Sequence, residues 1–142
     1  IPSDAYTLWT DGTYALLSRA QAALVTSGTA TLETALFRVP QVVCYYMKFG
    51  KAVSLLRRLF LKVPFISLVN LVAAREVVPE LVAADATPQQ MQRALLPLLS
   101  PTSPERNAQL EGYKTVVTAL GEPGAPQRAA EAMWQFLKAK KR

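Results

Sequence analysis

Residues 24–33 read LVTSGTATLE, and this joint constrains the fold more than any other stretch of the chain. A short apolar run, Leu24-Val25, ends in the small polar turn Thr26-Ser27-Gly28, and a helix-like segment carrying Glu33 follows. A strand that feeds a helix in this way leaves the first backbone N–H groups of the helix without internal partners. Those donors and the positive end of the helix dipole suit a phosphate group. With a helix starting near Thr29, Glu33 lies about one turn further on, beside Thr29 and Ala30. A carboxylate there can accept hydrogen bonds from vicinal ribose hydroxyls while a diphosphate sits at the helix tip, a geometry that suits a sugar nucleotide. The same ten residues also fit a plain strand–turn–helix joint with Glu33 solvated, and alone they do not choose.

The alternation continues along the chain. Ala5–Thr10 reads as a short strand, and Asp11 or Thr13 caps a helix to about Gln21. Ala22–Val25 reads as a buried strand and Thr29–Phe37 as a helix; Pro40 then introduces an interior strand, Gln41–Tyr46. Lys48–Lys62 reads as a helix, Phe65–Leu68 as a strand, Val69–Leu71 as a loop and Arg75–Val82 as a helix broken by Pro79. Thr87-Pro88 opens a helix to about Leu99, with Gln90 in the reach-back position of a capping box. Glu105–Leu120 and Pro126–Lys140 complete the series, the former closed by Gly121. This order predicts an α/β fold, a Rossmann-like parallel sheet with flanking helices. It divides into residues 1–100, a partial nucleotide-binding unit, and 101–142, carboxy-terminal helices. About four strands are visible where such a domain usually carries more. The first strands are therefore expected upstream of Ile1, and no initiator Met precedes it.

Composition removes several function classes. The chain has no histidine, so a histidine general base, a histidine triad and most zinc sites are excluded within it. Its one cysteine, Cys44, rules out an internal disulfide and suits a cytoplasmic setting. No apolar run reaches the roughly 18–20 residues that span a bilayer. A net charge of +6 favours anionic partners. Nucleic acid is not among those expected, because no aromatic–basic interleaving or recognition motif is present.

Two further constellations carry chemistry. Asn70 follows the predicted 65–68 strand, at the carboxyl edge of the sheet where open α/β folds bind ligands. Its amide can read a uracil edge or hold a diphosphate oxygen, Arg75 can pair with phosphate, and Glu76 can orient Arg75 or a sugar hydroxyl. A turn asparagine beside a surface Arg–Glu pair explains the same residues. Residues 48–62, KFGKAVSLLRRLFLK, carry Lys48, Lys51, Arg57, Arg58 and Lys62 and no acid. Phe49, Ala52, Val53, Leu56, Leu59 and Phe60 share one face of that helix. It suits an anionic membrane surface, and equally an ordinary amphipathic helix packed on a sheet.

Together, AALVTSGTATLE (22–33), VPQVVCY (39–45), the basic apolar helix, VPFISLVNL (63–71) and REVVPEL (75–81) resemble the carboxy-terminal half of bacterial lipid-A-disaccharide synthases, in that family's order, over roughly residues 14–100. The resemblance implies the donor-binding half of a GT-B fold, whose amino-terminal domain lies outside this chain. It implies transfer of 2,3-diacylglucosamine from UDP to 2,3-diacylglucosamine 1-phosphate with inversion, at the cytoplasmic face of the inner membrane, without cofactor or metal. The general base belongs to the amino-terminal domain, so this chain alone is expected to be inactive. Carried over, Ser27, Gly28 and Thr29 form the diphosphate turn, Glu33 holds the ribose, and Asn70, Arg75 and Glu76 line the donor pocket. The sequence departs from the family at Val69, where proline is frequent, at Ala83, where glutamine is frequent, and at Tyr46, where arginine is frequent. The family's glycine-rich, arginine-bearing donor loop does not appear in it. Other UDP-sugar GT-B transferases of peptidoglycan or glycolipid synthesis, and a non-enzymatic membrane-surface module, are the alternative readings.

Overall fold

The computed structural model describes residue 2 and residues 4–26, 28–45 and 65–140. The described elements are α1 (Thr13–Leu17), β1 (Ala23–Val25), α2 (Gly28–Leu36), β2 (Gln41–Tyr45), α3 (Leu68–Ala73), β3 (Glu80–Val82), a 3-10 turn (Ala83–Asp85), α4 (Pro88–Leu99), α5 (Pro104–Leu120) and α6 (Ala125–Lys140). The strands form an open parallel sheet in the order β1-β2-β3. Val25 pairs with Val43 and Val43 with Glu80, so the end of β1 stands level with the start of β3. The fold is α/β and Rossmann-like.

The central strand reads as its position requires. Gln41 to Cys44 are all buried, because helices cover both faces of a parallel sheet. Its alternate residues divide the core in two. Val43 meets Ala35 of α2, Val69 of α3, Val77, Val78, and Tyr113 and Val116 of α5. Val42 and Cys44 point the other way, onto Leu98 of α4. The buried start of β2 is closed by side chains. Gln109 of α5 accepts from Gln41 N at 2.9 Å and donates to Gln41 O at 3.1 Å, as a neighbouring strand would. The Tyr113 hydroxyl shares its proton between Val39 O (3.0 Å) and Gln109 Oε1 (3.1 Å).

Caps set several helix boundaries, at Thr87 as expected and at Ser103 so that α5 starts one residue before the predicted Glu105. Thr87 Oγ1 accepts from Gln90 N at 3.3 Å with Pro88 in the first turn, and Ser103 Oγ accepts from Arg106 N at 3.0 Å ahead of Pro104. Gly121 ends α5 with φ 72°. The end of α3 was not foreseen: Ala74 adopts φ 52°, its N–H bonds Leu71 O, and Arg75 N bonds Asn70 O. This is a Schellman closure without glycine.

Four expectations are corrected. Ala5–Thr10 is irregular and exposed, with no strand among the described residues to pair with, and α1 stops at Leu17. Phe65–Leu68 is not a strand: the Ser67 hydroxyl accepts from Asn70 N at 3.2 Å and caps α3. Val69–Leu71 is thus helix rather than loop. Arg75–Val82 is not a helix, because Asn70 Oδ1 takes the N–H groups of Val77 (2.7 Å) and Val78 (3.0 Å). Pro79 has no N–H to give and biases Val78 toward extended backbone, so β3 follows. The predicted helix 48–62 lies outside the described residues, as does Tyr46.

Candidate functional site

The start of α2 lies at the carboxyl edge of the sheet, three residues past the last paired residue of β1. Among the described residues, nothing lies within 4 Å of a methyl group built on Gly28, so there is open space on that side of the helix start. No acid stands in the first turn of α2, and Thr29 is exposed there. The Thr31 and Thr34 hydroxyls turn back onto the Gly28 and Ala30 carbonyls, each at 2.7 Å, and are spent inside the helix. Glu33 is half-buried one turn in. Ser27 lies outside the described residues.

Asn70 does something other than expected. It is fully buried, and all four hydrogen-bonding positions of its amide are occupied. Oδ1 accepts from Val77 N and Val78 N, while Nδ2 donates to Val78 O (2.8 Å) and Glu80 Oε1 (2.9 Å). No atom remains to read a ligand. Asn70 is a clamp that joins α3 to the approach of β3.

Glu80 completes the clamp, and sequence reasoning passed over it. Its carboxylate accepts from Ile66 N (2.9 Å), Ser67 N (2.8 Å) and Asn70 Nδ2. An acid directly after Pro79, at the first position of a strand, was the available signal. Tyr45, the last residue of β2, stands beside it. Burial, and secondarily the Glu80 charge, push the Tyr45 phenol above its usual range. Burial alone pushes the Cys44 thiol up.

Arg75 and Glu76 do not join Gly28 and Glu33. They follow α3 and precede β3, toward the amino edge of the sheet. There they line a cleft of about 410 Å³ with Val77, Arg93, Leu98 and Glu105. Arg75 Nη2 lies 3.5 Å from Thr115 Oγ1 of α5. The correction follows from the strand assignment: with β3 at Glu80–Val82, residues 75 and 76 stand before the strand rather than after one. The basic residues Lys48, Lys51, Arg57, Arg58 and Lys62 lie outside the described residues. Among the described residues, no helix is long and apolar enough to cross a membrane.

Comparison with known proteins agrees with this architecture. A family model described as "Lipid-A-disaccharide synthetase" matches residues 4–135. The chain is 41% identical over 117 residues to the lipid-A-disaccharide synthase of Anaeromyxobacter sp. (strain K), covering 82% of this chain and 30% of that protein. It is 40% identical over 126 residues to the Myxococcus xanthus (strain DK1622) synthase, covering 86% and 31%. With the Pseudomonas aeruginosa (strain UCBPP-PA14) synthase it shares 40% over 131 residues, covering 92% and 33%. The chain thus spans about a third of the length of these relatives. It belongs to the lipid-A-disaccharide synthetase family.

Proposed function

We propose that this chain is part of the donor-binding domain of a GT-B lipid-A-disaccharide synthase, and that the start of α2 receives the diphosphate of a UDP-sugar. The observation that carries this reading is the open helix start at Gly28, at the carboxyl edge, with Glu33 one turn behind it. Backbone N–H groups at Gly28 and Thr29 meet the phosphate oxygens, aided by the helix dipole, and the Glu33 carboxylate accepts from ribose hydroxyls. Ser27, adjacent in sequence, is proposed to contribute to the same diphosphate site.

The reaction is transfer of 2,3-diacylglucosamine from UDP to 2,3-diacylglucosamine 1-phosphate with inversion. Charge builds on the departing diphosphate, so fixed donors at the helix tip stabilise the leaving group more as the bond breaks. The base that deprotonates the acceptor hydroxyl comes from outside these 142 residues. The chain alone is therefore inactive. Both substrates are acylated, which gives the basic segment 48–62 its use: contact with an anionic inner-membrane surface from the cytoplasmic side.

UDP titration of the chain, followed by amide chemical shifts, tests the donor site. Shifts should centre on residues 28–33, and Glu33→Ala should weaken binding about tenfold to a hundredfold, the range for a hydrogen bond to a charged group. A second arm places the chain in a full-length synthase in exchange for the segment it matches, and measures disaccharide formation. Unchanged UDP affinity and turnover in the Glu33→Ala variant would refute the reading.

A further inference from the structure

On the sheet face covered by α2 and α3, internal contacts account for nearly every described polar side chain near the carboxyl edge. Thr31 and Thr34 are bound to their own helix, Ser67 caps α3, and Asn70 and Glu80 occupy one another and four backbone N–H groups. Besides the exposed Thr26 and Thr29 and half-buried Glu33, that leaves Tyr45, the one such residue on the central strand.

Its position follows from the register. Tyr45 pairs with Val82, two residues beyond Val43, which is level with Val25 of β1. At about 3.3 Å per residue it stands roughly 7 Å above that row. α2 begins at Gly28, three residues past Val25, at the same edge. The ring packs against the core cluster that contains Val43, Ala35 and Val69, so its body is anchored on that face of the sheet. The residue is only partly buried, so its outer end reaches solvent. None of the described residues hydrogen-bonds its hydroxyl.

We infer that Tyr45 is a donor-site residue, its phenolic hydroxyl donating a hydrogen bond to a phosphate oxygen of a nucleoside diphosphate held at the start of α2. The inference rests on the reading of α2 given above and adds the central strand to it. Burial and the Glu80 carboxylate keep the phenol protonated at neutral pH, so it remains a donor.

Calorimetric titrations of UDP and of uridine into a full-length synthase carrying this segment, and into its Tyr45→Phe and Glu33→Ala variants, separate the roles. Tyr45→Phe keeps the anchored ring and should melt as the wild type does. It should weaken UDP about tenfold, as loss of a hydrogen bond to a charged group does, and leave uridine unchanged. Glu33→Ala should weaken both ligands, since both carry the ribose. If Tyr45→Phe binds UDP as tightly as the wild type while Glu33→Ala loses it, the Tyr45 assignment is wrong and the α2 reading stands. If the wild type fails to bind UDP, or Glu33→Ala binds it unchanged, the α2 reading falls and takes the Tyr45 assignment with it.

Discussion

Gly112 makes the contact between α5 and the approach to β3 unusually close, and its replacement by alanine has an effect opposite to the usual one. In the interior of a helix, Gly→Ala ordinarily stabilises by about 1 kcal/mol. Here the added methyl would lie 2.5 Å from Val77 Cγ1 and 3.2 Å from Cγ2. Val77 cannot swing aside: it is β-branched, buried, and its N–H is held by Asn70 Oδ1 at 2.7 Å. Overpacking of this kind costs about 1–3 kcal/mol. Because Val77 cannot yield, the upper part of that range applies, about 2–3 kcal/mol; less the propensity gain of about 1 kcal/mol, the net loss should be about 1–2 kcal/mol, or roughly 3–8 °C in Tm for a chain of this size. Val77→Ala alone should cost about 2 kcal/mol for the two carbons removed from the core. In that background Gly112→Ala should become stabilising by about 1 kcal/mol, since the clash is gone and the helix preference remains. Urea unfolding of the four members of the cycle, followed by circular dichroism, reads both signs. A Gly112→Ala variant that is more stable than the wild type, or whose effect does not depend on residue 77, would refute the close-contact argument.

Three further outcomes follow from the clamp and the core. Asn70→Ala leaves Val77 N, Val78 N and part of Glu80 without partners and should cost about 3 kcal/mol or more, whereas exposed Asn107→Ala should stay within about 0.5 kcal/mol; urea midpoints compare them. Burial pushes the Tyr113 phenol far above its usual range, so it stays neutral in the fold while the unfolded chain ionises near pH ~10. That stability is complete below pH ~10 and lost as pH rises beyond it, so Tm should fall steeply there, and Tyr113→Phe, compared in a Cys44→Ala background, should flatten the slope. Ala74→Gly, at φ 52°, should raise Tm modestly, since a left-handed alanine costs about 1–2 kcal/mol and glycine returns roughly half of that to unfolded-state entropy.

The sequence was most legible where local chemistry and tertiary packing agree. Val42-Val43-Cys44 is apolar on both faces because both faces are covered, and the 24–33 joint holds a strand to Val25 and a helix from Gly28. Thr87-Pro88 marked a helix start through a bond that spans three residues. Legibility failed where a side chain displaced backbone pairing over a longer range. Nothing local distinguishes FISL as a helix entry from FISL as a strand, since a short apolar run fits either. The decision was made by Glu80, fourteen residues on from Ile66, whose carboxylate collects the amides a strand would have offered to a neighbour. Arg75–Val82 reads as a helix only until Asn70 removes two of its N–H groups from helical use.

Those same misread elements decide what the candidate site contains. With 65–68 as a strand, Asn70 stood at its carboxyl end and Arg75 and Glu76 close behind, so all three seemed to face a ligand. With β3 at Glu80–Val82, the carboxyl edge is framed instead by Gly28, Tyr45 and Ala83, and Arg75 and Glu76 fall toward the opposite edge. The strand order also explains why Asn70 is saturated. A buried amide between a helix and a strand loses more by leaving a donor unpaired than it gains from an occasional ligand, so it is spent on permanent partners. Groups left for a ligand are those whose bodies are anchored and whose tips reach the solvent edge. Tyr45 and the N–H groups at the start of α2 satisfy that condition, and Asn70 does not.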